Sequence, residues 1–256
     1  MMIKAPLILL LLTASVSPGQ TRTATTRRLL FDFRTEKRNS PPKVGPALQK
    51  TVLSKVFRRY LTDDTRCKSN FKASGDDYLS AARKAGQFVP SIVDFASGSF
   101  IAAGKTEFAY LISVGECNAS HADNFGSKRI AIFSGEELVA NLDINFNSSI
   151  LRKSDLNGDG INELLLSAGD MAQGTLIETA ALYSFENGKA SVIEDFGQVT
   201  EDACATGMQG SEVKAVVLEI GVAAPGKMPK FKIDNYVSPC RKLKRWRFVS
   251  TGKLDQ

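Results

Sequence analysis

Residues 155–163 read Asp155-Leu156-Asn157-Gly158-Asp159-Gly160-Ile161-Asn162-Glu163, and the architecture turns on them. Asp155, Asn157 and Asp159 alternate, so their side-chain oxygens can converge while the chain bends, and Gly160 permits the sharp turn. The carbonyl of Ile161 and the carboxylate of Glu163 extend this set of hard oxygens. Ca2+ takes roughly six to eight such ligands in irregular geometry. Three carboxylates make an empty loop self-repelling, so a divalent cation is expected to rigidify it. An affinity on the order of 10⁻⁴–10⁻³ M suits an extracellular calcium module. The bland alternative is an ion-free Asn-Gly/Asp-Gly turn.

The flanks choose between kinds of loop. Ile150-Leu151-Arg152 and Leu164-Leu165-Leu166 read as strands. An EF-hand requires helices on both sides and a bidentate Glu at its twelfth position, where this chain has Leu166. A dockerin-type loop wants an acid at the same place and a second copy close by. Both are set aside, leaving a calcium loop between two β-strands.

From Ser91 onward the apolar period is two, with Gly and Asn-Gly turns. Arg129–Phe133 and Leu138–Leu142 flank the turn Ser134-Gly135-Glu136-Glu137. Ala180–Tyr183 and Ala190–Ile193 flank Glu186-Asn187-Gly188-Lys189, a strong hairpin signal. The stretch Gly104–Leu111 aligns with Gly160–Ser167, and Ile132-Phe133-Ser134 aligns with Leu182-Tyr183-Ser184. A third, degraded copy is expected, with strands near Val213–Ile220, Lys230–Tyr236 and Lys244–Val249. The units are bounded at about 91–145, 146–200 and 201–250. The fold class is therefore mainly β, a short propeller-like or sandwich array of β-repeat units.

Asp155, Asn157, Asp159, Gly160 and Glu163, with Ile161 at the backbone-ligand place, resemble the FG-GAP or VCBS-type repeat. In that family an integrin-like propeller blade carries a calcium loop between strands. The resemblance covers about residues 92 to 200 and implies structural calcium in a secreted or surface-exposed protein. The first copy keeps only Asp94 and Glu107 as acids, so it is expected to bind no metal.

The N-terminal part differs in character. Lys4, the apolar run Ala5–Val16 and small residues to Gly19 mark residues 1–20 as a secretory signal peptide. The run is too short for a bilayer, which needs about 20 apolar residues. Export to a periplasmic or extracellular location follows. Residues 21–46, rich in Thr, Arg and Pro, read as a flexible linker, and 47–90 as a helical segment. One helix starts at Pro46 with Leu48, Val52, Val56, Phe57 and Tyr60 on its apolar side; a second is expected from about Asp76 to Ala85. With 43% hydrophobic and 23% charged residues, the composition excludes a wholly disordered chain.

In an exported chain, Cys67, Cys117, Cys204 and Cys240 imply two disulfides, with three connectivities open. Cys117–Cys204 with Cys67–Cys240 is the preferred pairing. The net charge of +6 is clustered at 22–59 and 241–247. Nucleic acid is an improbable partner for an exported protein, and the partner expected is a protein or a glycan. Arg241-Lys242-Leu243-Lys244-Arg245-Trp246-Arg247 could grip a polyanion, with Trp246 stacking on a sugar. A charge-guarded edge strand is the commoner explanation.

No Gly-x-Ser-x-Gly elbow, Walker loop or His-Glu-x-x-His occurs. Cys117 with His121, or Glu116, His121 and Asp123, offer a nucleophile pair or a metal set, but a disulfide Cys and a loop His in a polar segment are the preferred explanation. The expected function is a non-enzymatic calcium-binding interaction module. The alternative is a secreted hydrolase with its site in the loops around Glu116–Asp123.

Overall fold

The period-two stretches become strands that assemble into two antiparallel sheets. The computed structural model describes residues 27–35, 43–63, 90–115, 127–144, 149–208, 210–242 and 245–253. Strands β2 (Ser91–Gly98), β3 (Glu107–Gly115), β4 (Ser127–Ser134) and β5 (Glu137–Asp143) form a four-stranded meander. Strands β6 (Ser149–Ser154), β7 (Glu163–Ala172), β8 (Thr175–Ser184) and β9 (Ser191–Asp202) open a second sheet. It continues through β10 (Glu212–Ile220), β11 (Phe231–Pro239) and β12 (Arg247–Thr251). This eight-stranded sheet curls into a half-barrel and includes β1 (Arg28–Asp32), which pairs with β10. The mainly β class is as expected.

The first four strands of the second sheet repeat the up-and-down order of the first sheet, and several rungs correspond. Phe108 faces Phe133 across β3 and β4, as Leu164 faces Tyr183 across β7 and β8. The β4–β5 ladder slips between Ile132 and Phe133, and the β8–β9 ladder between Leu182 and Tyr183. Those are the positions the sequence alignment equates. Such a slip bends a strand and increases its twist.

Leu164, Leu165 and Leu166 form an unbroken apolar run because β7 is covered on both faces. Leu164 and Leu166 pack with Phe100, Leu111, Ile130 and Ile132 of the first sheet's side. Leu165 turns the other way, onto Phe196, Val216 and Leu218 inside the half-barrel. The far face of the first sheet is covered by α1 (Pro46–Asp63), through Val52, Val56 and Phe57 against Tyr110, Ile112 and Phe133. Each fully buried side chain of this size contributes roughly 1.5–3 kcal/mol. Lys55 Nζ donates to the Glu136 carbonyl at 2.6 Å, and Asn141 Nδ2 to the Val56 carbonyl at 3.2 Å, pinning the helix to the β4–β5 hairpin. Leu48, expected on the apolar side, is exposed instead, as are Pro46 and Ala47 beside it in the first helical turn.

Several expectations are corrected. The third unit is not a separate array member: β9 pairs with β10 through Thr200, Glu201 and Asp202, so units two and three share one sheet. Part of the stretch read as a linker is β1, whose Leu30 and Phe31 are buried in the half-barrel core. One α-helix is present among the described residues; Asp76–Ala85, residues 1–20 read as a signal peptide, Cys67 and Cys117 lie outside them. Cys204 bonds to Cys240, not to Cys117. The ladder accounts for this, since Asp202 faces Val213 while Pro239 faces Glu212, which sets the ends of β9 and β11 on either side of β10's first residues. The two Cα atoms stand 5.4 Å apart, within bridging range. No helix among the described residues is long and apolar enough to cross a membrane.

Candidate metal centre

The acidic loop joins β6 to β7 and is wound by its own side chains. Asp155 accepts the amides of Gly158 (2.7 Å) and Gly160 (3.0 Å) on its two oxygens. Asn157 Oδ1 accepts the Asp159 amide at 3.1 Å, and Asp159 Oδ1 accepts the Ile161 amide at 2.7 Å. Asn157 Nδ2 donates to Asp159 Oδ2 at 2.7 Å. Asn157 and Asp159 thus make successive Asx turns, in which a short acceptor side chain folds the backbone back on itself, while Asp155 reaches further along the loop. Gly158 and Gly160 supply the positive φ, +75° and +85°, that the winding needs.

Glu163 sits at the base of the loop, 2% exposed, and accepts the Leu156 amide on Oε2 at 2.9 Å. Burial pushes its carboxyl up to about 7; the neighbouring charges of Asp159 and Asp155 push the same way, and the Leu156 amide opposes them. Burying an ionised acid without a cation is costly.

Glu107 in the first sheet occupies the corresponding place. Its Oε2 accepts the amides of Phe100 (2.6 Å) and Ile101 (2.8 Å), and like Glu163 it reaches a backbone N–H seven positions earlier. The intervening loop, Ser99–Thr106, contains no acid. Asp94, the other acid of that copy, binds the Ile150 amide at 2.8 Å and so ties β2 to β6; burial raises its pKa.

The two loops clasp each other. Asn162 donates its amide to the Ser99 carbonyl at 2.6 Å, and Asn162 Oδ1 accepts the Ser99 amide at 3.0 Å. Lys153 adds a bond to the Ser97 carbonyl. Gly98 leaves no space here: a Cβ would lie 2.4 Å from Asn162 Oδ1 and 2.9 Å from Lys153 Cδ. Neither Asn162 nor Gly98 stood out in the sequence, because their role exists only once the two loops are side by side. On the opposite flank, the Gly226 amide donates to the Asn157 carbonyl at 2.7 Å, joining the acidic loop to the β10–β11 connection.

The donor set suits a hard cation in kind. All its side-chain donors are oxygens, and each engaged oxygen accepting one N–H keeps a second lone pair. The placement is looser than a closed site. Among the described residues, no three His, Cys, Asp or Glu side chains stand close enough to hold a metal ion together. Asp155, Asn157, Asp159, Ile161 and Glu163 would supply the oxygens, Glu163 from below and the others from the winding.

The other sequence candidates separate from this centre. Glu116, Cys117, His121 and Asp123 lie outside the described residues. Arg241, Arg245 and Arg247 are exposed, and among the described residues β12 pairs only with β11, at the edge of the sheet. Trp246 is half-buried and its Nε1 is fully covered, so its indole N–H does not face an outside ligand. No protein-family model matches this chain, and no curated protein sequence does.

Proposed function

We propose that the chain is an exported, calcium-stabilised β-module of the FG-GAP/VCBS kind, acting by binding rather than by catalysis. The two meanders β2–β5 and β6–β9 are read as copies of one propeller-type unit, of which only the second keeps its calcium loop. The observation that carries the metal assignment is Glu163. Its carboxyl is buried beside Asp155 and Asp159 and pushed up to about 7, a position that a divalent cation makes favourable. In the copy without loop acids, Glu107 bonds two backbone amides instead of one. Export is supported by the Cys204–Cys240 bridge, since disulfides persist mainly in oxidising compartments.

Thermal unfolding in calcium and in EDTA tests the reading. Calcium is expected to raise the melting temperature of the parent chain and to leave that of Asp159→Ala unmoved. A parent melt that ignores both calcium and EDTA refutes it.

A further inference from the structure

The connection between β10 and β11, residues 221–230, is held at three points. The Gly221 amide donates to the Lys230 carbonyl at 3.0 Å, the Lys227 amide to the Ala224 carbonyl at 3.0 Å, and the Gly226 amide to the Asn157 carbonyl at 2.7 Å. Two separate hollows adjoin it. The larger, of about 480 Å³, lies between Arg28 and the acidic loop at Asp155–Gly158, where the Asp155 carboxylate is already engaged with the loop amides. The smaller, of about 330 Å³, is lined by Arg27, Lys227, Lys230 and Lys232 together with the half-buried Met228 and Phe231. Among the described residues, no acid lines it.

The cations of the smaller hollow are only partly neutralised. Glu219 Oε2 stands 4.0 Å from Arg27 and 3.6 Å from Lys232, and Lys232 also pairs with Asp234. Lys227 and Lys230 are exposed, and among the described residues no carboxylate engages either. Four cations set against the carboxylates of Glu219 and Asp234 leave a surplus of two positive charges. Val222, Ala223 and Ala224 line the same hollow, and their amides donate to no described group. Lysine ammoniums and free backbone N–H groups are the donors that hold phosphate oxygens.

We infer that the hollow bordered by Lys227 and Lys230 binds a phosphate monoester, its phosphate against the two lysines and its organic body on Met228 and Phe231. A carboxylate or a sulfate ester brings one negative charge and matches half of the surplus. A phosphate monoester brings roughly two at neutral pH, on a single centre with three acceptor oxygens. The size agrees, since sites for small molecules start at about 300 Å³. This inference rests on the reading of the chain as a binding module, but its cations and amides belong to the connection and not to the metal loop.

The test is titration calorimetry of the full chain with phenyl phosphate, against phenyl sulfate and inorganic phosphate as comparison ligands. Phenyl phosphate is expected to bind more tightly than either. Its affinity is expected to fall roughly tenfold from pH 8 to pH 5, because a second ionisation near pH 6 leaves about a tenth of it as the dianion at pH 5. The lysines and arginine stay charged throughout, and phenyl sulfate, a monoanion at both pH values, reads any change in the protein itself. Lys227→Ala/Lys230→Ala is expected to weaken phenyl phosphate by about tenfold or more, and Lys227→Arg/Lys230→Arg to keep most of the affinity. An unchanged melting temperature verifies folding of both variants. Arg245→Ala/Arg247→Ala is expected to leave the affinity unaltered. Phosphatidylcholine vesicles with and without phosphatidate separate two sources of the ester: co-sedimentation with phosphatidate assigns a lipid headgroup, and calorimetric binding without it assigns a free molecule. The inference is overturned by no binding of phenyl phosphate, by equal or tighter binding of either comparison ligand, by an unaltered affinity in the Lys227/Lys230 alanine variant, or by an equal loss in the Arg245/Arg247 variant. Binding is expected in calcium and in EDTA alike; binding confined to calcium also overturns the inference, by placing the anion on the metal. A flat calcium melt leaves these titrations standing, so the two failures are distinguishable.

Discussion

Replacing Glu163 by Gln separates the cost of a buried charge from the packing around it. The amide keeps an acceptor for the Leu156 N–H and nearly the same volume, but it cannot ionise. In the parent, the folded carboxyl is raised from 4.5 to about 7, so the folded state holds its proton more tightly than the unfolded chain does. Stability from this group is therefore full below roughly pH 4.5 and lost as the pH climbs to about 7, a swing of about 3 kcal/mol. In EDTA the variant should match the parent near pH 4 and exceed it by up to about 3 kcal/mol above pH 7. Calcium narrows that gap. At a concentration roughly ten to a hundred times its Kd it should stabilise the parent by about 1–3 kcal/mol, while the variant gains little. Urea unfolding at a series of pH values, followed by the fluorescence of the single tryptophan, Trp246, reads both effects. Parent and variant curves with the same slope between pH 4.5 and 7 would refute the burial argument, and equal calcium gains would refute the ligand assignment.

Three further outcomes follow from the geometry. Gly98→Ala forces a Cβ into Asn162 Oδ1 and Lys153 Cδ, and should cost about 1–3 kcal/mol in urea unfolding by parting the clasped loops. Glu107→Ala strands the amides of Phe100 and Ile101, for a loss of about 2–5 kcal/mol, yet should leave the calcium response of the chain intact. Removing the bridge with Cys204→Ser/Cys240→Ser frees a loop spanning a sequence separation of 36, and should lower stability by up to about 4 kcal/mol.

What the sequence made legible was local. The β8–β9 hairpin was readable because Asn187 and Gly188 accept positive φ, +57° and +72°. The winding of the acidic loop was readable because alternate Asx side chains and glycines dictate it within a few residues. β1 was hidden by a register slip between Leu29 and Phe31: the slip turns Leu30, Phe31 and Asp32 inward in succession, which breaks the alternation that marks a strand. The disulfide was missed because Cys204 and Cys240 become neighbours only through the three-strand arrangement of β9, β10 and β11. The fusion of the second and third units depends on the same pairing, and the hollow between Arg28 and the acidic loop depends on the connection that follows β10. Neither is written in any short stretch.

The position of β1 bears on how the molecule is made. Arg28 pairs with Ile220, so β1 waits for a template roughly 190 residues downstream, and contacts of such span slow the search for the native topology. Until β10 emerges, Leu30 and Phe31 have nowhere dry to go, and the nascent chain carries them as an apolar hook. Completion of the half-barrel thereby waits for β10, and a chain truncated before β10 should be a substrate for quality control rather than a smaller working version.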